Sequence, residues 1–132
     1  MYDCDIVYIK GNPNSGLTVQ HDEINKSILD LLTPHTIKII DSKFSNKNFK
    51  VPNARVYIGF SRGSRYLKKI NKSSLKLSIG GIGGLGINLF TNSADKILQG
   101  DISTSSMKAH FIILPKDKIK IKKLINDFLL SD

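Results

Sequence analysis

Gly59-Phe60-Ser61-Arg62-Gly63 is the stretch whose residue types and spacing suit nucleophilic chemistry. A serine hydroxyl reaches a substrate carbonyl when its backbone turns sharply between a strand and a helix, which holds the serine in a strained conformation. The residues two before and two after it must be small, because the chain passes close to itself at such a turn. Both are glycine here. The apolar run Ala54-Arg55-Val56-Tyr57-Ile58 leads into the pentapeptide, and a helical pattern with Tyr66, Leu67 and Ile70 on one face follows it. The backbone N–H of Arg62 would then lie at a helix N-terminus, where the dipole favours developing negative charge.

At these residues the chain resembles the α/β-hydrolase superfamily. The resemblance implies a nucleophile, an acid and a histidine in that chain order. Ser61 is the implied nucleophile. His110 follows it within Ala109-His110-Phe111-Ile112, ahead of Pro115 and an amphipathic helix, where family members commonly carry the general base. Gly100-Asp101 resembles the start of the family's acid loop, so Asp101 is the implied acid and Asp95 the alternative. Many members carry the acid two positions later, where this chain has Ser103. A second oxyanion donor comes in the family from a loop after an earlier strand. That loop is Gly11-Asn12-Pro13-Asn14, and Asn12 is the candidate because Pro13 has no N–H. Lys10 stands where the family usually has a histidine.

The resemblance therefore implies a small, lidless, trimmed serine hydrolase acting on an ester, thioester or amide. Its substrate is a small molecule and it needs no cofactor. Two other readings stay open. One is a non-catalytic α/β binding module that keeps the elbow. The other is a basic nucleic-acid-associated protein.

These residues need elements to position them. Asp5-Ile6-Val7-Tyr8-Ile9 is a short β-branched run ending at the turn-rich Gly11–Gly16, which reads as a buried strand and a loop. Ile24, Ile28, Leu31 and Leu32 share one helix face, Asp22 and Glu23 suit its first turn, and Pro34 ends it. Thr36–Ile40, Ala54–Gly59 and Leu75–Ile79 read as further strands. Ala94–Leu98 reads as a short strand or a turn of helix. Ile121, Leu124, Ile125, Phe128 and Leu129 mark a C-terminal amphipathic helix. This alternation predicts an α/β fold: a three-layer sandwich about a mainly parallel sheet of about 5 strands, α/β-hydrolase-like, in a single domain over 1–132.

Composition narrows the partners. The 132 residues carry a formal net charge of +9, with a pI near 9.7, mostly from lysine. Only Arg55, Arg62 and Arg65 are arginines and tryptophan is absent. Base readers rely on arginine forks and stacking aromatics, so nucleic acid is not favoured as a partner. Arg62 and Arg65 flank the serine and would suit an anionic substrate or a plain surface. No apolar run reaches the roughly 18 residues of a membrane span. The acidic N-terminus lacks the basic start of a signal peptide, so the expected location is cytoplasmic, with no membrane partner. Oligomeric state is not legible.

Other patterns compete with the elbow. Gly81-Ile82-Gly83-Gly84-Leu85-Gly86 has dinucleotide-loop spacing. It comes late and is followed by a poor helix start, so a loop near the mouth of the site is the expected role. Ser73-Ser74-Leu75-Lys76 and Ser93-Ala94-Asp95-Lys96 match Ser-x-x-Lys without its partner motifs. Lys116, Lys118, Lys120, Lys122 and Lys123 read as a solvated helix face. The three histidines and Cys4 show no metal-ligand spacing.

Overall fold

In the computed structural model of the chain, residues 2–11, 18–41, 51–61, 63, 66–67, 70, 74–79, 96–98, 113 and 115–130 are described. Four parallel strands form the body of one sheet: β1 (Cys4–Lys10), β2 (Ile37–Asp41), β3 (Ala54–Phe60) and β4 (Leu75–Ile79). A three-residue strand, β5 (Lys96–Leu98), runs along β4. The order across the sheet is β2-β1-β3-β4-β5, with every adjacent pair parallel. Among the described residues two α-helices accompany it, α1 (Thr18–Leu32) and α2 (Pro115–Leu130). The architecture is α/β.

Position in the sheet explains the strand sequences. β1 and β3 each have a neighbour on both sides and are buried on both faces, so they read as nearly continuous apolar runs. β2 lies at the edge, and there Ile39 is left 50 % exposed. Parallel neighbours cannot be joined by a hairpin, and α1 supplies the crossover from β1 to β2.

One face of the sheet carries Ile6, Tyr8, Val56, Ile58, Phe60, Leu75, Leu77 and Ile79. Both helices pack on it: α1 through Ile24, Ile28 and Leu32, and α2 through Ile121 and Ile125. The opposite face carries Val7, Ile9, Ile40 and Tyr57, and packs with Leu67 and Ile70 from the segment after β3. Cys4 is buried at the margin of this second cluster, and burial pushes its thiol pKa up.

The structure departs from the sequence reading in three places. α1 begins at Thr18, so Asp22 and Glu23 lie beyond its first turn and are exposed. Its inward stripe extends back from Ile24 to His21 and also takes in Asn25. Pro115 is the first residue of α2 rather than a residue before it, a position where its missing N–H costs nothing. After β3, residues 61, 63, 66 and 67 lie in tight 3₁₀-type turns rather than an α-helix. Gly63 is a poor helix former, and its seat against β1, described below, sets the path of the chain. Leu67 and Ile70 are nevertheless buried, on the face their spacing predicts.

Polar contacts tie the elements at the start of the strands. Asp3 and Asn53 exchange two hydrogen bonds, with Asp3 N donating to Asn53 O at 2.8 Å and Asn53 N to Asp3 Oδ2 at 2.9 Å. Asp5 N donates to Thr36 Oγ1 at 2.9 Å, and Thr36 N donates to Asp5 Oδ2 at 3.2 Å. Arg55 reaches the C-terminus of α2, giving hydrogen bonds to the carbonyls of Leu129 (2.9 Å) and Phe128 (3.2 Å). Its guanidinium also lies 5.5 Å from the centre of the Phe128 ring.

Candidate functional site

The strand order places the site. The chain leaves β1 for β2 on one side, then returns to add β3 on the other. The order therefore reverses between β1 and β3, and in open parallel sheets the crevice at the carboxyl ends of such strands is where ligands bind. Gly11 stands at the end of β1, Ser61 follows β3, and both reach that crevice.

Ser61 has φ of 55°, and it is the described non-glycine residue with positive φ. Non-glycine residues seldom occupy this left-handed region, and they cluster at functional sites when they do. Ser61 is partly exposed, whereas Phe60 just before it is fully buried. The strand thus holds the turn from below while the serine stays accessible.

The flanking glycines sit in different surroundings. Gly59 is still in β3, in register with Ile9 on β1 and Ser78 on β4, so it lies in the middle of the sheet. Gly63 passes directly over the end of β1. A β-carbon there would lie 2.2 Å from the Ile9 carbonyl oxygen and 2.8 Å from that of Lys10. Those are backbone atoms, so no side chain can move aside to admit it. The close approach that the pentapeptide pattern anticipates is present at Gly63.

Gly11 is confined as well. A β-carbon on it would lie 3.0 Å from His21 Cε1, 3.1 Å from Phe60 O and 3.2 Å from Phe60 Cδ2. His21 is 5 % exposed and meets the Phe60 ring edge-on, with centroids 5.8 Å apart. His21 therefore stands beside the residue that precedes Ser61. It precedes the serine in the chain, outside the order of nucleophile, acid and histidine that the resemblance implies. The available signal was spacing: His21 lies three residues before Ile24 on the same helical stripe.

The remaining candidates fall as follows. Asn12, Arg62, Asp95, Asp101 and His110, like the glycine run at 80–86, lie outside the described residues. His35 sits at the opposite end of the sheet. Its Nε2 is 2.9 Å from Asn126 Oδ1 on α2, and its Nδ1 is 3.9 Å from Asp5 Oδ2. Among the described residues, no group of three or more His, Cys, Asp or Glu could hold a metal ion. No described helix is long and apolar enough to cross a membrane.

Beneath the site, Tyr8 donates a buried hydrogen bond of 2.6 Å to Asn25 Oδ1, joining β1 to α1. Burial drives the Tyr8 pKa far up, since the phenolate would lose its hydration. Tyr57 shifts the same way for the same reason, while its hydroxyl accepts from Ala54 N and donates to Pro52 O.

No protein-family model, curated protein or solved structure matches the chain.

Proposed function

We propose that the chain is a small serine hydrolase acting on an ester, thioester or amide of a small molecule, built on a three-layer α/β-hydrolase-like fold. The observation that carries this reading is the backbone of Ser61. The residue holds φ of 55° at the end of β3, in the crevice where strand order reverses, and the glycine two places on has no room for a side chain. A strained, partly exposed serine held by close backbone contact is what a nucleophile elbow requires.

In the proposed reaction, Ser61 Oγ attacks the substrate carbonyl carbon while His110 takes the hydroxyl proton. Asp101 orients His110 and stabilises its charged form. The amides of Arg62 and Asn12 receive the developing oxyanion. The tetrahedral intermediate collapses, and the leaving alcohol, thiol or amine departs with the proton from His110. Water, activated by the same histidine, then cleaves the acyl-serine bond, releasing a carboxylic acid and restoring Ser61. No cofactor enters this cycle.

A fluorophosphonate probe tests the reading, because it phosphonylates only an activated serine. Wild-type protein should be labelled and Ser61→Ala should not. Absence of labelling on the wild type, or equal labelling of both, would overturn it.

A further inference from the structure

We propose that His21 is a positioning residue of this site: packed beside Gly11 and edge-on against Phe60, its imidazole braces the end of β3 from which the Ser61 turn departs. The proposal rests on the hydrolase reading of Ser61, and it assigns a role to a histidine which that reading does not use.

Three observations support it. First, His21 is 5 % exposed on a stripe that also buries Ile24, Ile28, Leu32 and the polar Asn25, whose side chain accepts from Tyr8. An imidazole is a costly choice there for packing alone, because its nitrogens lose water and must be satisfied within the protein. Second, it touches two particular residues next to the site. Cε1 lies 3.0 Å from where a Gly11 β-carbon would stand, and the ring meets Phe60 edge-on. Gly11 directly precedes Asn12, and Phe60 directly precedes Ser61. One side chain thus touches both the residue that leads into Ser61 and the glycine that ends the described part of the β1 segment. Third, the same segments also meet on the other side, where Gly63 lies against the carbonyls of Ile9 and Lys10. The end of β1 is therefore held between His21 and the turn, and a change at His21 has few ways to relax without moving one of them.

Positioning acts on rate through geometry. A displacement of about 1 Å in a reacting group can cost on the order of 100-fold in rate. His21→Ala should lower both the rate of fluorophosphonate labelling and kcat on p-nitrophenyl acetate by roughly 10- to 100-fold. KM should stay within about twofold, because the lost interaction aligns the reacting groups rather than binding the substrate. His21→Gln, which keeps a polar group of intermediate length, should recover part of the loss and serves if the alanine variant folds poorly.

Gly11→Ala should lower the labelling rate too, by pushing on His21 and Phe60. Combining it with His21→Ala should then cost less than the two losses added, since removing the imidazole makes room for the new methyl. All rates are read per folded molecule, well below the thermal midpoint measured by circular dichroism. His35→Ala, at the far end of the sheet, is the control and should label at the wild-type rate.

A His21→Ala protein that is folded and labels at the wild-type rate overturns this proposal and leaves the hydrolase reading standing. Equal losses in His21→Ala and His35→Ala overturn it likewise, because the effect would be general. An unlabelled wild type overturns both.

Discussion

The two ends of the sheet are built in different ways. Where the strands begin, side chains tie the elements together: Asp3 with Asn53, Asp5 with Thr36, and Arg55 with the last carbonyls of α2. Where β1 and β3 end, the chain is also held by close steric contact. Gly63 lies against the end of β1, Gly11 against His21 and Phe60, and Ser61 takes a backbone conformation most residues avoid. A hydrogen bond can lengthen or be replaced by water when disturbed. A close backbone contact cannot. The first end therefore suits stability, and the second suits precise placement of a reacting group.

The largest effect should come from the steric end. Gly63→Ala places a methyl within 2.2 Å of a main-chain oxygen, so β1 or the turn must move. We expect a loss of about 4 kcal/mol in urea unfolding, at the extreme of single substitutions. A loss under about 1 kcal/mol would mean that this end is as pliant as the other.

Alkaline pH should act next, on the tyrosines within the body of the sheet. Burial raises the pKa of Tyr8 in the folded protein. Below about pH 10 both folded and unfolded states keep the phenol proton, so Tyr8 makes no difference to stability. Above it the unfolded chain ionises first and is favoured. Stability should therefore fall as pH rises past about 10, by about 1.4 kcal/mol per pH unit from Tyr8. Tyr57 and Cys4, also raised by burial, add in the same direction. Urea midpoints measured from neutral to alkaline pH check this, and a flat profile contradicts it.

The smallest effect should come from the hydrogen-bonded end. Arg55→Ala removes two bonds to carbonyls at the α2 terminus and a contact with Phe128. We expect roughly 1–2 kcal/mol, since water can replace the lost donors. Fluorophosphonate labelling of the folded variant should be unchanged. A fall in labelling there, without a fall in stability, would erase the distinction between the two ends.

Much of the scaffold was legible from local pattern. Ile6, Val7, Tyr8 and Ile9 formed a continuous apolar run because β1 is covered on both faces. Ile24, Ile28 and Leu32 gave the inward stripe of α1, and Ile121 and Ile125 that of α2. Residues 61–67 were harder, since Tyr66, Leu67 and Ile70 have helical spacing but the turn is tightened by the seat of Gly63 on β1. Such a contact joins residues more than fifty apart, and no local window contains it.

The pentapeptide by itself determined that a tight turn follows a buried strand, because glycines around a serine at the end of an apolar run free the backbone to turn. The tertiary structure alone decided what lies against that turn. It brought the end of β1 onto Gly63 and His21 beside Phe60, because strand order, which no short stretch of sequence encodes, chooses the neighbours of β3.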